Sequence, residues 1–275
     1  MTALALRVLG ALLRRLPLGA ARSVGAFLGL AWFHLVPIRR ATSIRQIRAA
    51  LGLGTADARR VARETYRNLG RSAAEFLRVD DAAATVRVSG WDRYLAARAR
   101  GRGVVVVTGH FGNWDLLACA AALRGEPVHV VTKDLKDSGV NALWMEARRR
   151  AGVRLHAAAG SMPALVAALR AGEVVALVID QDAPFGVALP FFGKDANTSL
   201  APAVLARRTG APILPVFLAR DPDGAGHEMQ IGEEIPPDDV SRSVLMRCNA
   251  ALESAIRARP DHWLWLHRRW RSAEG

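Results

Sequence analysis

The sequence predicts an α/β fold, a mostly parallel central sheet covered by helices, with a membrane-associated helical region ahead of it. Three observations carry this. From Val104 onward, short β-branched runs alternate with helical segments, the pattern of a parallel sheet wrapped by its own crossovers. The run "VVVVTGH" is apolar without alternation, as a strand buried on both faces must be. Before Asp57, the first acidic residue, eight arginines (Arg7, Arg14, Arg15, Arg22, Arg39, Arg40, Arg45 and Arg48) stand among long apolar stretches.

Taken in order, "MTALALRVLGALLRRLPLGAA" is apolar but interrupted by arginines, whose stems reach a headgroup layer. Ser23 to Ile38 carries no formal charge, yet its sixteen residues fall short of the ~20 that cross a bilayer as a helix. A pair of interfacial helices or a short tilted anchor is the reading preferred over a buried helix hairpin or a cleaved signal peptide. Residues 56–79 show apolar positions at helical spacing, and Trp91 to Ala99 is a further short helix. After the Val104 strand come helix "NWDLLACAAALR", strand "VHVVT", helix "NALWMEARRRAG", strand "VRLHA", helix "MPALVAALRAG" and strand "VVALVID". Helix "APAVLARRTG", strands "APILPVFLAR" and "GHEMQIG" and a long last helix from Ser241 complete the chain, with Pro236-Pro237 marking the final connection. The expected division is a membrane-associated region over 1–55 and an α/β domain over 56–275.

Composition excludes several classes. The 275 residues are 51% hydrophobic and 23% charged, which rules out a disordered or collagen-like chain. Cys119 and Cys248 form no CxxC pair and no disulfide framework. The formal net charge of +13 rests on arginine, with only three lysines, and points to phosphorylated or otherwise acidic partners. At the C-terminal end Trp263, Trp265, His267, Arg268, Arg269 and Trp270 interleave aromatics with charge. That composition suits a membrane interface, and no nucleic-acid-binding signature accompanies it.

The chemistry concentrates in "TGHFGNWD". It joins a buried strand to a helix, where α/β proteins bind ligands. Gly109 and Gly112 allow a tight turn, and Asn113 is placed to cap the helix. Asp115, in the first helical turn, is placed to reach back to His110 Nδ1, leaving Nε2 as a general base. Such a base suits deprotonation of a hydroxyl that attacks an activated acyl group. No G-x-S-x-G elbow offers a serine nucleophile. A structural histidine beside a capping residue remains the competing reading of H-x4-D alone.

Three ordered motifs narrow it. "HFGNWD", "DQDAPFGVALPFFGKDANTSLAPAVLARRTGAPILPV" and "PDHWLWLHRRW" together resemble the bacterial lipid A biosynthesis (lauroyl/myristoyl) acyltransferase family, within the wider glycerolipid acyltransferase superfamily. The resemblance implies an enzyme at the cytoplasmic face of the inner membrane, peripheral or shallowly anchored. It would move a fatty acyl chain from an acyl carrier protein thioester to a hydroxyl of a lipid A precursor or related glycolipid. Lysophospholipid, ornithine-lipid or phosphoinositol-glycolipid acceptors, and acyl-CoA as donor, are the alternatives, as is a noncatalytic lipid-binding membrane protein. His110 corresponds to the catalytic histidine and Asp115 to its acidic partner. Asn113 and Trp114 share that motif. No metal and no cofactor are expected; the partners are an acidic carrier, a phosphorylated lipid acceptor and an anionic membrane surface, with no nucleic acid. Asp180 and Gln181 follow a strand and are expected to line the same crevice. Phe191 and Phe192 are candidates for the acyl channel or, equally, for simple core packing, and Lys194, Arg148, Arg149, Arg268 and Arg269 are candidates for phosphate. Where the family often carries a basic residue, before "MPALVAAL", this chain has Ala159, a departure that bears on the acceptor and leaves acyl transfer untouched.

Overall fold

The computed structural model describes residues 2–133, 137–238 and 241–271. Four helices lead: α1 (Thr2–Arg14), α2 (Leu18–Leu35), α3 (Arg40–Leu51) and α4 (Thr55–Phe76). After α5 (Val79–Ala83), β1 (Val86–Ser89) and α6 (Trp91–Arg98), the alternation begins. It runs β2 (Val104–Thr108), α7 (Trp114–Leu123), β3 (Val128–Thr132), α8 (Ser138–Arg150), β4 (Arg154–Ala157), α9 (Met162–Arg170) and β5 (Val174–Val178). The chain continues through β6 (Val187–Phe191), β7 (Lys194–Thr198), α10 (Ala201–Thr209), β8 (Ile213–Arg220), β9 (His227–Ile231) and α11 (Ser241–Ala258). The seven-stranded sheet has the order β1-β9-β8-β2-β5-β3-β4. Strands β8, β2, β5, β3 and β4 are parallel, while β9 runs antiparallel to β8 and parallel to β1. The mostly parallel sheet is as expected. Strand β1 and the separate β6–β7 hairpin were not anticipated, because Val86–Ser89 is too short to show a period and Pro190 interrupts β6.

The chain after β2 turns sharply, and glycine is required there. Gly112 has φ +59°, and a Cβ on it would sit 1.7 Å from the Leu218 carbonyl oxygen. A Cβ on Gly109 would press on the Leu252 side chain at 2.7 Å and on the Asp180 carboxylate at 3.1 Å. Both glycines admit close approach by the protein's own groups.

Helix α2 packs on α4 through glycine. A Cβ on Gly25 would meet the Gly70 carbonyl oxygen at 2.4 Å, and one on Gly29 would meet that of Tyr66 at 2.2 Å. Small residues four apart let the two backbones touch. Leu18–Leu35 is long and apolar enough to cross a membrane by length and composition. One face nevertheless lies on α4, while Phe27, Leu28 and Leu35 on the other are exposed.

Buried charge ties this layer to the sheet. Glu75 of α4, with no exposed surface, accepts hydrogen bonds from Arg22 Nε of α2 (2.7 Å), Arg220 Nη2 of β8 (2.9 Å) and Asn113 Nδ2 (2.9 Å). Removing one member of such a buried pair costs about 3–5 kcal/mol, since the other charge is left uncompensated. The cluster therefore holds the N-terminal helices, the sheet and the β2–α7 turn in one arrangement.

Candidate active site

Strands β2 and β5 are neighbours in parallel register, Thr108 opposite Val178. Their C-terminal ends therefore carry His110 and Asp180 to the same place. His110 Nδ1–H donates to Asp180 Oδ1 at 2.7 Å, and the His110 backbone N–H donates to Asp180 Oδ2 at 2.7 Å. A third donor comes from the far end of the chain, Trp263 Nε1–H to Asp180 Oδ2 at 2.7 Å. Asp180 is buried and His110 partly exposed. Gln181 Nε2 lies 3.2 Å from His110 Nε2, and the Trp114 ring meets the imidazole edge-on with centroids 5.0 Å apart.

This corrects the expected pairing. Asp115 does not bond His110; it accepts from Trp144 Nε1 (2.9 Å) and from Arg148 through Nε (2.9 Å) and Nη2. The reason is geometric. Asp115 points from α7 toward α8, and the Nδ1 position is already filled from β5. Local spacing made Asp115 the obvious candidate, whereas Asp180 is 70 residues away and adjacent only through strand pairing.

Burial alone pushes the His110 imidazole down, but the charge and hydrogen bond of Asp180 outweigh this and leave it above its ordinary value. Burial likewise pushes the Asp180 carboxyl up, and the His110 charge with the bonds from His110 and Trp263 reverses that, holding it below the usual range. With Nδ1–H committed to a carboxylate, neutral His110 keeps its lone pair on Nε2.

His110 lines a cavity of about 970 Å³ between the sheet and helices α7 and α8. Its walls include Val106, Val130 and Ala176 of the sheet and Ala118 and Ala121 of α7. Alanines on the sheet-facing side of α7 leave the space that larger side chains would fill. Val174 and Val178, the two ends of β5, both line it. The apolar wall thus spans about 13 Å at ~3.3 Å rise per residue. Tyr94 and Glu126 also line it, near the strands' N-terminal ends. The small residues Ala118 and Ala121 of α7 were the sequence signal for this hollow.

The other expected site residues divide. Trp114, Asp115, Arg148 and Gln181 line the cavity. Asn113 is buried, caps α7 by accepting from Leu116 N–H (3.2 Å) and donates to Glu75, so it does not reach substrate space. Phe191 and Phe192 are not channel lining: they are buried in an aromatic cluster with Trp263, Trp265 and Trp270. Arg269 is fully buried, donating to the carbonyls of Gln181 and Asn197 and to Thr198 Oγ1, so it does not present its charge to a phosphate. Arg148 is held by Asp115 and Thr132. Arg149, Arg268 and Lys194 are exposed and outside the cavity wall. Among the described residues, no group of three His, Cys, Asp or Glu is arranged to hold a metal ion.

Residues 2–272 match the model of the family described as bacterial lipid A biosynthesis acyltransferase. The chain belongs to that family. It is 28% identical over 188 residues to a phosphatidylinositol mannoside acyltransferase of Mycobacterium tuberculosis, covering 66% of this chain and 59% of that protein. It is also 28% identical over 195 residues to the lipid A biosynthesis palmitoleoyltransferase of Escherichia coli, covering 67% and 61%. The matched stretch thus spans about three fifths of these curated relatives. Among solved structures, the 1-acyl-sn-glycerophosphate acyltransferase of Thermotoga maritima aligns with 88% of this chain and 99% of its own, at 14% identity and TM-score 0.42.

Within this lipid A acyltransferase family member, the pairing makes a titration prediction. In an NMR titration, His110 should titrate above the ordinary imidazole value of ~6.5. Asp180→Asn should lower that pKa, since burial then acts without the opposing carboxylate, and Asp115→Asn should lower it less. A larger shift from Asp115→Asn would contradict the pairing.

Proposed function

We propose that the chain is an O-acyltransferase that moves a fatty acyl group from a carrier thioester to a hydroxyl of a phosphorylated glycolipid. The single observation that carries this reading is the His110 Nε2 lone pair at the mouth of a long apolar cavity. The acyl chain lies along the sheet with its thioester carbonyl beside His110. Nε2 takes the proton of the acceptor hydroxyl as its oxygen attacks, and Asp180 stabilises the imidazolium that forms. The same proton then goes to the departing thiolate.

The donor proposed is acyl carrier protein. An acidic carrier suits a chain of formal net charge +13 with exposed arginines Arg149, Arg150 and Arg268. The acceptor proposed is a lipid A precursor or a related glycolipid; the phosphatidylinositol mannoside and lipid A relatives are equally similar, which supports the class over either member. Ala159, in place of the basic residue the family often carries, fits an acceptor whose phosphate lies elsewhere.

A membrane surface is the proposed setting of the reaction. Helix α1 exposes Leu4, Val8 and Leu12, four residues apart, and packs on α8, which walls the cavity. Phe185, 97% exposed, lies on the cavity rim. An apolar face beside the mouth lets a lipid hydroxyl enter without crossing water.

With purified protein, acyl carrier thioesters and a panel of lipid acceptors read by mass spectrometry, wild type should form acylated lipid. His110→Ala should lower transfer at least ~100-fold, the scale of general-base catalysis. Near-normal transfer by a folded His110→Ala protein, or no product with any glycolipid, would sink the reading. For the membrane surface, Val8→Ser, Leu12→Ser, Phe27→Ser and Leu35→Ser combined should reduce co-sedimentation with anionic vesicles. Unchanged sedimentation would remove these helices as the attachment.

A further inference from the structure

A general base completes only half of acyl transfer, since the carbonyl oxygen gains a negative charge that needs a donor. The loop bearing His110 cannot provide one from its own backbone over 110–112. The His110 N–H donates to Asp180, Phe111 N–H to the Gly109 carbonyl and Gly112 N–H to the His262 carbonyl. Arg148, a cation that lines the cavity, is committed to Asp115 and Thr132.

Gln181 is differently placed. Its side chain lines the cavity, and its Nε2 is 3.2 Å from the very nitrogen that must receive the proton. Since neutral His110 presents a lone pair there, the amide N–H donates to it. Its backbone is fixed from behind, because the buried Arg269 guanidinium donates to the Gln181 carbonyl at 3.2 Å. That is a use for a buried cation that touches neither substrate nor solvent.

We propose that Gln181 is a second catalytic residue, the donor that stabilises the oxyanion of the tetrahedral intermediate. This rests on the acyl-transfer reading above. The acceptor hydroxyl must occupy the position beside Nε2 that the amide now holds, so it displaces the amide by one hydrogen-bond length. The carbonyl it attacks is one bond further on, which brings the thioester oxygen within reach of the displaced N–H. The hydroxyl proton passes to His110 Nε2, the oxygen–carbon bond forms, and the carbonyl π pair moves onto oxygen, where Gln181 Nε2–H donates to it. Collapse re-forms C=O and breaks the carbon–sulfur bond, and the leaving thiolate takes the proton from His110. Asp180 and Gln181 are adjacent in the chain, so one strand end sets both the base and the oxyanion donor.

The test is single-turnover acyl transfer by Gln181→Met, which keeps length and loses the donor, and Gln181→Glu, which keeps shape and places an acceptor there. Both should lower the rate about 100-fold, the scale of losing one oxyanion donor. The KM for the acyl carrier thioester, and the affinity for an alkyl thioether analogue that lacks the carbonyl, should stay within about twofold of wild type. A Gln181→Met rate within twofold of wild type, or a loss confined to KM and analogue affinity, would overturn the role. His110→Ala measured beside them separates the two claims. If it is inactive while Gln181→Met is not, only the oxyanion assignment fails; if it remains active, acyl transfer by His110 fails.

Discussion

The Asp180 carboxylate is the point on which the site depends. It accepts from the His110 ring, the His110 backbone and the Trp263 indole. Those three bonds join the end of β5, the turn after β2 and the C-terminal segment. A buried carboxylate without such donors would take up a proton; with them it stays ionised and fixes the imidazole in the tautomer that leaves Nε2 open. Gly109 leaves room for both this carboxylate and the Leu252 side chain, and Trp263 is buried where its indole reaches Asp180.

The charge balance takes on a different meaning in the folded chain. Arg22 and Arg220 neutralise Glu75, Arg148 is held by Asp115, and Arg269 bonds backbone carbonyls from a fully buried position. These four arginines, which in the sequence look like part of an anion-binding surface, are committed to internal structure. A planar guanidinium serves this better than an ammonium, because its several donors can satisfy separate elements at once. Arg149, Arg150 and Arg268, by contrast, stay exposed at the surface.

The alternation of strands and helices from Val104 to Ile231 was legible because it is local: β-branched runs, helical periods and glycine stops need no tertiary information. His110 was legible for the same reason, since a strand-to-helix turn advertises itself. What sequence spacing could not supply was pairing across the sheet. Asp115 is five residues from His110 and turns away, while Asp180 is 70 residues distant and bonds it. Phe191 and Phe192 were apolar and near the motif, yet face the aromatic cluster, because the β6–β7 hairpin sets their direction. The cavity itself was written in α7 as small residues, a signal of absent volume that periodicity does not register.

The direct measurement is a double-mutant cycle on acyl-transfer rate, pairing His110→Ala in turn with Asp180→Asn and with Asp115→Asn. Asp180 acts through His110, so Asp180→Asn should cost substantially in the wild-type background and almost nothing once His110 is gone. Asp115→Asn, which removes the charge and one of the two oxygens that accept from Arg148 and Trp144, should cost the same in both backgrounds. Full additivity of Asp180→Asn with His110→Ala, or loss of the Asp115→Asn effect when His110 is absent, would contradict the central pairing.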